Sequence, residues 1–97
     1  MAQKRIPVEE SERRLEKVLK ALANARRLAI LRYIKKRKEA TVGTIAEGMK
    51  LSVKATSKHL GILMGAHILK KEQRNIFVYY MLAEIDKAPT KHIVDLL

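Results

Sequence analysis

The chain has 97 residues, a length that suits one small domain with a single modest core. It carries 21 Lys and Arg against 10 Asp and Glu, and this net charge of +11 indicates an anionic partner, either nucleic acid or an anionic membrane surface. The absence of cysteine excludes disulfides, thiolate metal sites and cysteine nucleophiles. No apolar run reaches the roughly 18 residues of a transmembrane helix, and no secretory signal is present, so we expect a cytoplasmic protein.

The basic residues are concentrated in two stretches of the chain. Every charged residue from Lys17 to Lys38 is basic, and the same holds from Gly48 to Lys71. The acidic residues gather near the start and the end of the sequence. This asymmetry predicts one positive face, although a solvated charged surface without a partner remains the alternative.

Two helices are predicted in the first third of the chain. The first runs from about Val8 to Ala23, and the second from Ala25 to about Lys35, with Asn24 as its N-cap. Apolar residues lie at helical spacing in the first helix, at Leu15, Val18, Leu19 and Leu22. In the second helix, the predicted buried side consists of Leu28, Ile30, Leu31 and Ile34.

Two further helices follow a charged link at 35–39. Thr41 caps a short helix that ends at Met49, and Ser52 caps a longer one, Val53 to Gly65. The predicted inward residues are Val42, Ile45, Ala46 and Met49 in the shorter helix, and Leu60 and Leu63 in the longer one, supported by Val53 or Thr56.

The hydrophobic period then changes from 3.6 to about 2, which predicts strands. Residues 68–72 form the first strand and 76–82 the second, joined by a tight turn at Arg74 and Asn75. Asn tolerates a positive φ, so it suits the tip of a hairpin. A last helix is expected over 90–97.

Two short consecutive helices followed by a hairpin predict a winged helix-turn-helix. In this arrangement the second helix enters the major groove of DNA through its N-terminal half. The candidate DNA-binding residues on that helix, which we expect to be exposed, are Ser52, Lys54, Ala55, Ser57, Lys58 and His59. The wing adds Lys70, Lys71 and Arg74, which we expect along the DNA backbone or in the adjacent minor groove. A purely structural role for Ser52 as a cap, with the lysines only keeping the surface soluble, is the alternative.

Three stretches resemble the ArsR/SmtB family of transcriptional regulators. Residues 51–60 (LSVKATSKHL) are similar to the recognition-helix pattern L-S-x-x-x-V-S-x-H-L. Residues 20–31 (KALANARRLAIL) resemble K-A-L-A-D-P-T-R-L-x-I-L, and 78–82 (VYYML) resemble V-Y-Y-x-L. The resemblance extends from about Leu15 to Leu82 and implies a winged helix-turn-helix that binds double-stranded DNA.

The sequence departs from the family pattern at three structural positions. His67 and Asn75 stand where the family usually has glycine, and both residue types adopt a positive φ at moderate cost. Thr56 replaces a buried valine, so its hydroxyl must find a carbonyl in the preceding turn. We expect a small loss of stability and no change of fold.

The metal sites of the resembled family are not matched. Its Cys-x-Cys site corresponds here to Thr41 and Gly43, and its Asp-x-His site to Thr90, Lys91 and His92. Neither set provides the required ligands, and His59 and His67 lie too far apart along a helix to form a pair. We therefore expect no metal and no cofactor.

The resembled family pairs its first and last helices across a two-fold axis, which implies a homodimer. The candidate interface lies in residues 1–23 and 88–97 of a single domain spanning 1–97. It comprises Leu15, Val18, Leu19, Leu22, Ile93, Val94 and Leu97. Part of this apolar set must serve the core of one chain. A symmetric dimer covers the remainder and places two recognition helices about one turn of DNA apart.

The sequence as a whole predicts a mainly α protein with a β-hairpin wing, with about five helices and two strands. The predicted function is that of a dimeric, sequence-specific DNA-binding repressor. A winged-helix module that contacts protein or RNA is the alternative, because fold alone does not give function. An enzyme is not expected, because Ser57 and His59 point in different directions on one helix and no other catalytic arrangement is present.

Overall fold

The computed structural model describes residues 4–84 and 88–97 and contains five helices and three strands in that part of the chain. The predicted ranges 1–97 and 1–23 therefore include residues outside the described ones. The helices are α1 (Glu10–Leu22), α2 (Ala25–Arg37), α3 (Val42–Met49), α4 (Val53–Gly65) and α5 (Thr90–Leu96). The strands are β1 (Glu39–Thr41), β2 (Leu69–Arg74) and β3 (Phe77–Leu82). None of the described helices is long and apolar enough to cross a membrane.

Three predicted caps are confirmed at the starts of helices. The side chains of Asn24, Thr41 and Ser52 each accept a hydrogen bond from the backbone N–H three residues later, at 3.1, 3.3 and 3.0 Å. These bonds satisfy N–H groups that have no partner inside the helix. The start of α1 differs from the prediction, because Glu12 accepts the backbone N–H of Glu9 at 3.0 Å and the helix begins at Glu10.

The sheet holds a strand that the sequence analysis missed. Its order is β1-β3-β2, and β1 pairs antiparallel with β3 so that Ala40 lies opposite Tyr80. A strand of three residues is too short to display a period of two, and it forms because β3 offers it an edge. The turn of the wing lies at Asn75 and Ile76, one residue later than predicted, because β2 continues to Arg74.

The core lies between the helices and the inner face of the sheet. Seven of its large apolar side chains have less than 2% of their surface exposed: Ile30, Leu31, Ile34, Ile45, Leu60, Leu63 and Ile68. They confirm the predicted inward sides of α2, α3 and α4. On α4, buried Thr56 supports the core, whereas Val53 is 54% exposed. The Thr56 hydroxyl donates to the backbone oxygen of Ser52 at 2.9 Å, as expected.

The two positions where glycine was expected have a positive φ. His67 has φ 59° and Asn75 has φ 56°. His67 follows the C-cap of α4, and its N–H donates to the oxygen of Met64, while the N–H of Ile68 donates to that of Leu63, each at 3.0 Å. This pair of bonds is a Schellman motif, which directs the chain from the helix into the wing.

Candidate nucleic-acid interface

The turn between α3 and α4 positions the second helix. Lys50 closes α3 in the left-handed region, with φ 53° and ψ 43°, and its N–H lies against the oxygens of Ala46 and Glu47. The next N–H, from Leu51, donates to Ala46 at 3.0 Å. Ser52 then begins α4. This short connection fixes the relative direction of the two helices, and the sequence analysis did not identify the contribution of Lys50.

The outward side of α4 is a basic stripe that ends in glycines. Residues Lys54, Lys58, Gly61 and Gly65 lie three or four positions apart and are all exposed, so they share one face of the helix. Thr56, Leu60 and Leu63 are buried on the opposite face. Sequence reasoning found the lysines and overlooked the glycines, although the same spacing connects them.

The candidate recognition residues differ in exposure. Ser52, Lys54, Ser57 and Lys58 are exposed, as expected. Ala55 and His59 are half-buried, which corrects the expectation that all six are exposed, because both lie on the flank of α4 rather than on its outward side.

His59 contacts the junction of α1 and α2. Its Nδ1 lies 3.4 Å from Nη1 of Arg27, and the same guanidinium donates from Nε to the oxygen of Ala21 at 2.7 Å and from Nη2 to that of Lys20 at 3.0 Å. Partial burial lowers the pKa of His59, and the nearby charges of Arg27, Arg26 and Lys58 lower it further. The neutral ring can therefore accept a hydrogen bond from Arg27.

The wing divides its cations between the two faces of the sheet. Leu69 is buried on the core face, so the alternation along β2 places Lys71 on that face and Lys70 and Arg74 on the outer face. All three side chains are exposed, but they do not form one contiguous cluster.

Arg74 is held by a network on the outer face of the sheet. Its Nη1 pairs with Glu39, its Nε donates to Glu72 at 3.0 Å, and its guanidinium carbon lies 4.9 Å from the centre of the Tyr79 ring. The hydrogen bond and charge of Arg74 lower the pKa of Glu72, and the two carboxylates raise that of Arg74. Two acids therefore compensate the charge of Arg74. The long-range contact with Glu39 has no signal in the sequence.

No group of three or more His, Cys, Asp and Glu side chains that could hold a metal ion occurs within residues 4–84 and 88–97. Thr41, at the position of the family's Cys-x-Cys site, caps α3, and its hydroxyl lies 3.0 Å from that of Thr44. His92 is exposed on α5.

Comparisons with known proteins agree with this architecture. A sequence profile of the helix-turn-helix domain family matches residues 22–72, more than half of the chain. The reduced form of HlyU from Vibrio cholerae is 30% identical, with a TM-score of 0.74 and coverage of 91% of this chain and 88% of that one. The transcriptional repressor PagR of Bacillus anthracis is 27% identical, with a TM-score of 0.73 and coverage of 89% and 94%.

A third solved structure extends the likeness over almost the whole chain. Mb0332 of Mycobacterium bovis, a homodimeric winged helix-turn-helix DNA-binding domain and possible ArsR-family transcriptional regulator, is 25% identical with a TM-score of 0.78. The alignment covers 99% of this chain and 85% of that one. No curated protein sequence matches the chain. With its matching profile, its hairpin wing and these neighbours, the chain belongs to the helix-turn-helix domain family, in the winged form of the ArsR-type transcriptional regulators.

Proposed function

We propose that the chain is a cytoplasmic, homodimeric repressor that binds specific sequences of double-stranded DNA and works without a metal. The observation that carries the proposal is the outward side of α4. Lys54 and Lys58 are exposed there, no acidic residue occurs anywhere in the helix, and the helix begins at a capped N-terminus. This surface matches the phosphates and base edges of a major groove.

Each part of the site has a separate role in this proposal. Lys54 and Lys58 contact phosphates or guanine, and the hydroxyls of Ser52 and Ser57 allow close approach to the groove. Ala55 contributes only its half-buried methyl. His59 supports the helix against Arg27 and contacts DNA at most from its flank.

Lys70 and Lys71 provide the backbone contacts of the wing in the proposal. They lie on opposite faces of the hairpin and are both exposed, so each can reach a different part of the DNA backbone. Arg74 contributes less than its charge suggests, because Glu39 and Glu72 already occupy it. The phosphate contacts of the wing therefore depend mainly on its two lysines.

The dimer in this proposal rests on exposed apolar residues. Leu15 and Leu19 are each 44% exposed on α1, and Leu96 is 74% exposed on α5. Leu22 and Val94, also expected at the interface, are buried within one chain at 4% and 6% exposure and have little surface left for a partner. Val18, Ile93 and Leu97 are half-buried and can serve both the core and the interface.

Replacement of both lysines on α4 tests the function directly. The double substitution Lys54→Ala and Lys58→Ala should weaken binding to a selected duplex at least about tenfold, because each protomer loses two contacts to DNA. Thermal stability should not fall, since both side chains are exposed. Fluorescence anisotropy with a duplex selected from random sequence measures the affinity.

A control separates this effect from a general loss of charge. Arg32→Ala with Lys36→Ala removes the same charge from the exposed side of α2 and should change affinity much less. The log–log dependence of affinity on salt should become shallower by about 3 to 4 in the α4 variant, because a dimer gives up four phosphate contacts. Unchanged duplex binding, or a preference for single-stranded RNA, contradicts the proposal.

A further inference from the structure

A groove between α1 and α4 adjoins the DNA-binding surface and shares residues of the outward side of α4 with it. It has a volume of about 500 Å³ and is lined by Lys17, Lys20, Ala21, Arg27, Lys58, Gly61, Ile62 and Gly65. Its lining is therefore four cations, four small or apolar residues and no carboxylate. This combination of an apolar floor and a few charged groups is the composition of a small-molecule site.

The floor of the groove is open because two helix positions lack a side chain. A Cβ at Gly61 would meet nothing within 4 Å, and a Cβ at Gly65 would meet only the Lys17 side chain, at 3.9 Å. Neither glycine has a positive φ. Glycine is among the least favourable residues inside a helix, and here neither backbone conformation nor packing within the chain requires it.

The charge of the rim selects the kind of occupant. A groove on the opposite flank of α1 is lined by Glu12 and Glu16 as well as Lys20, so its rim is mixed. The charged residues that line the α1–α4 groove are all cationic. Ile62, 38% exposed, provides apolar surface at its floor. An anion with an apolar body satisfies both features, whereas a phosphate leaves the apolar floor uncovered.

The groove also borders the recognition surface. Lys58 belongs both to its rim and to the outward stripe of α4, and Arg27 connects it to His59 at 3.4 Å. The groove lies away from Leu15 and Leu19, which occupy the opposite side of α1, so the proposed dimer leaves it accessible. An occupant that holds Lys58 removes one cation from the surface that faces DNA.

From these features we infer that the α1–α4 groove binds a small organic anion with an apolar body, such as an aryl or acyl carboxylate. The bound carboxylate lies among the cations and the apolar body covers Ile62 and the glycines. By engaging Lys58 the anion weakens DNA binding, which makes it an effector. This second statement rests on the proposed function, whereas the binding site itself does not.

Titration with 2-naphthoate, followed by amide chemical shifts of the free protein, tests the site. We expect changes centred on Ala21, Gly61, Ile62 and Gly65, and a dissociation constant on the order of 1 mM for so small a ligand. The neutral analogue 2-naphthamide should bind at least fivefold more weakly. Equal affinity for both compounds, or shifts centred elsewhere, overturns the inference.

Two variants distinguish the groove from general attraction to a basic protein. Lys17→Gln with Lys20→Gln should weaken 2-naphthoate binding at least threefold, and Gly61→Leu should abolish it by filling the floor while retaining every charge. Arg32→Gln with Lys36→Gln is the matched control and should bind normally. If the Lys17 and Lys20 variant keeps full affinity for 2-naphthoate and binds DNA more weakly, the groove contacts the DNA backbone. The inference is then wrong.

A competition experiment tests the effect on DNA. At saturating 2-naphthoate the affinity for the selected duplex should fall about threefold or more relative to sodium chloride of equal ionic strength. The Gly61→Leu protein, which no longer binds the anion, should respond to 2-naphthoate and to sodium chloride alike. Unchanged affinity with the groove occupied overturns the effector role. This result differs from a failure of the proposed function, in which the protein binds no duplex even in the absence of the anion.

Discussion

At the scale of single residues, the end of α4 depends on an unfavourable backbone conformation. His67 occupies the left-handed region with φ 59°, and the two hydrogen bonds of the Schellman motif hold it there. A Cβ in this region is costly, and glycine avoids the cost. The imidazole of His67 is exposed and makes no side-chain hydrogen bond or ion pair within residues 4–84 and 88–97.

Replacement of His67 by glycine should therefore stabilise the protein. We expect His67→Gly to raise the free energy of unfolding by up to about 1 kcal/mol, because the residue after a helix C-cap favours glycine. Urea denaturation measures the change. Ala66→Gly, one residue earlier at φ −92°, should instead lower stability. A lower stability of His67→Gly than of the unsubstituted protein contradicts this account.

Thr56 shows at the same scale how a polar substitution fits into a core. Its side chain is fully buried, and its hydroxyl bonds to the Ser52 oxygen, which also accepts the backbone N–H of Thr56 at 3.0 Å. The sequence was sufficient to predict a carbonyl of the preceding turn as the partner, and in a helix this is the carbonyl four residues earlier. No buried side-chain N or O atom in the described residues lacks a partner.

At the scale of elements, one arginine adds side-chain contacts between the wing and β1 to the backbone pairing of β1 with β3. Arg74 contacts Glu72 on its own strand and Glu39 on β1, and it lies over Tyr79 of β3. The network thus joins all three strands on their outer face. Exposed ion pairs contribute little stability, so its main effect is to place charge and to orient the hairpin.

Release of Arg74 from its acids should strengthen DNA binding. Glu39→Gln with Glu72→Gln leaves the guanidinium uncompensated and removes two negative charges near the proposed wing contact, so affinity should rise about threefold or more at low salt. Anisotropy titrations measure the effect. Glu10→Gln with Glu16→Gln changes the net charge equally on distant α1 and serves as the control. An equal gain in affinity in both variants indicates that the net charge of the protein, and not the release of Arg74, strengthens DNA binding.

At the scale of the whole molecule, a single chain leaves apolar surface uncovered on α1 and α5. Leu15, Leu19 and Leu96 are side chains that a soluble monomer usually buries or replaces. A two-fold partner is the occupant we propose, because it doubles the number of recognition helices and covers the same patch on both chains.

Polar substitution of the α1 leucines should dissociate the dimer. Each leucine that becomes covered contributes about 1 kcal/mol, so Leu15→Gln with Leu19→Gln removes about 4 kcal/mol from a symmetric pair, on the order of a thousandfold in the dissociation constant. Sedimentation equilibrium measures this change. Ile76→Gln at the wing tip is the control, because that side chain is 85% exposed and far along the chain from the interface. A monomer before substitution, or a dimer unaffected by it, contradicts the proposal.

The sequence by itself determined the presence of the helices and the wing and the caps of α2, α3 and α4, because these depend on local contacts. Hydrophobic period, capping side chains and turn residues act over three or four positions, so Asn24, Thr41, Ser52 and Asn75 carry their signals in one short stretch. The two lysines on the outward side of α4 were equally accessible to such reasoning.

Only the tertiary structure decided which residues meet across the chain. The pairing of β1 with β3, the contact of Arg74 with Glu39, the contact of Arg27 with His59 and the groove between α1 and α4 all join distant segments. Such contacts arise from packing around a shared core, which no local pattern records. They assign Arg74 to its neighbours, His59 to the α1–α2 junction, and Leu22 and Val94 to the core of one chain.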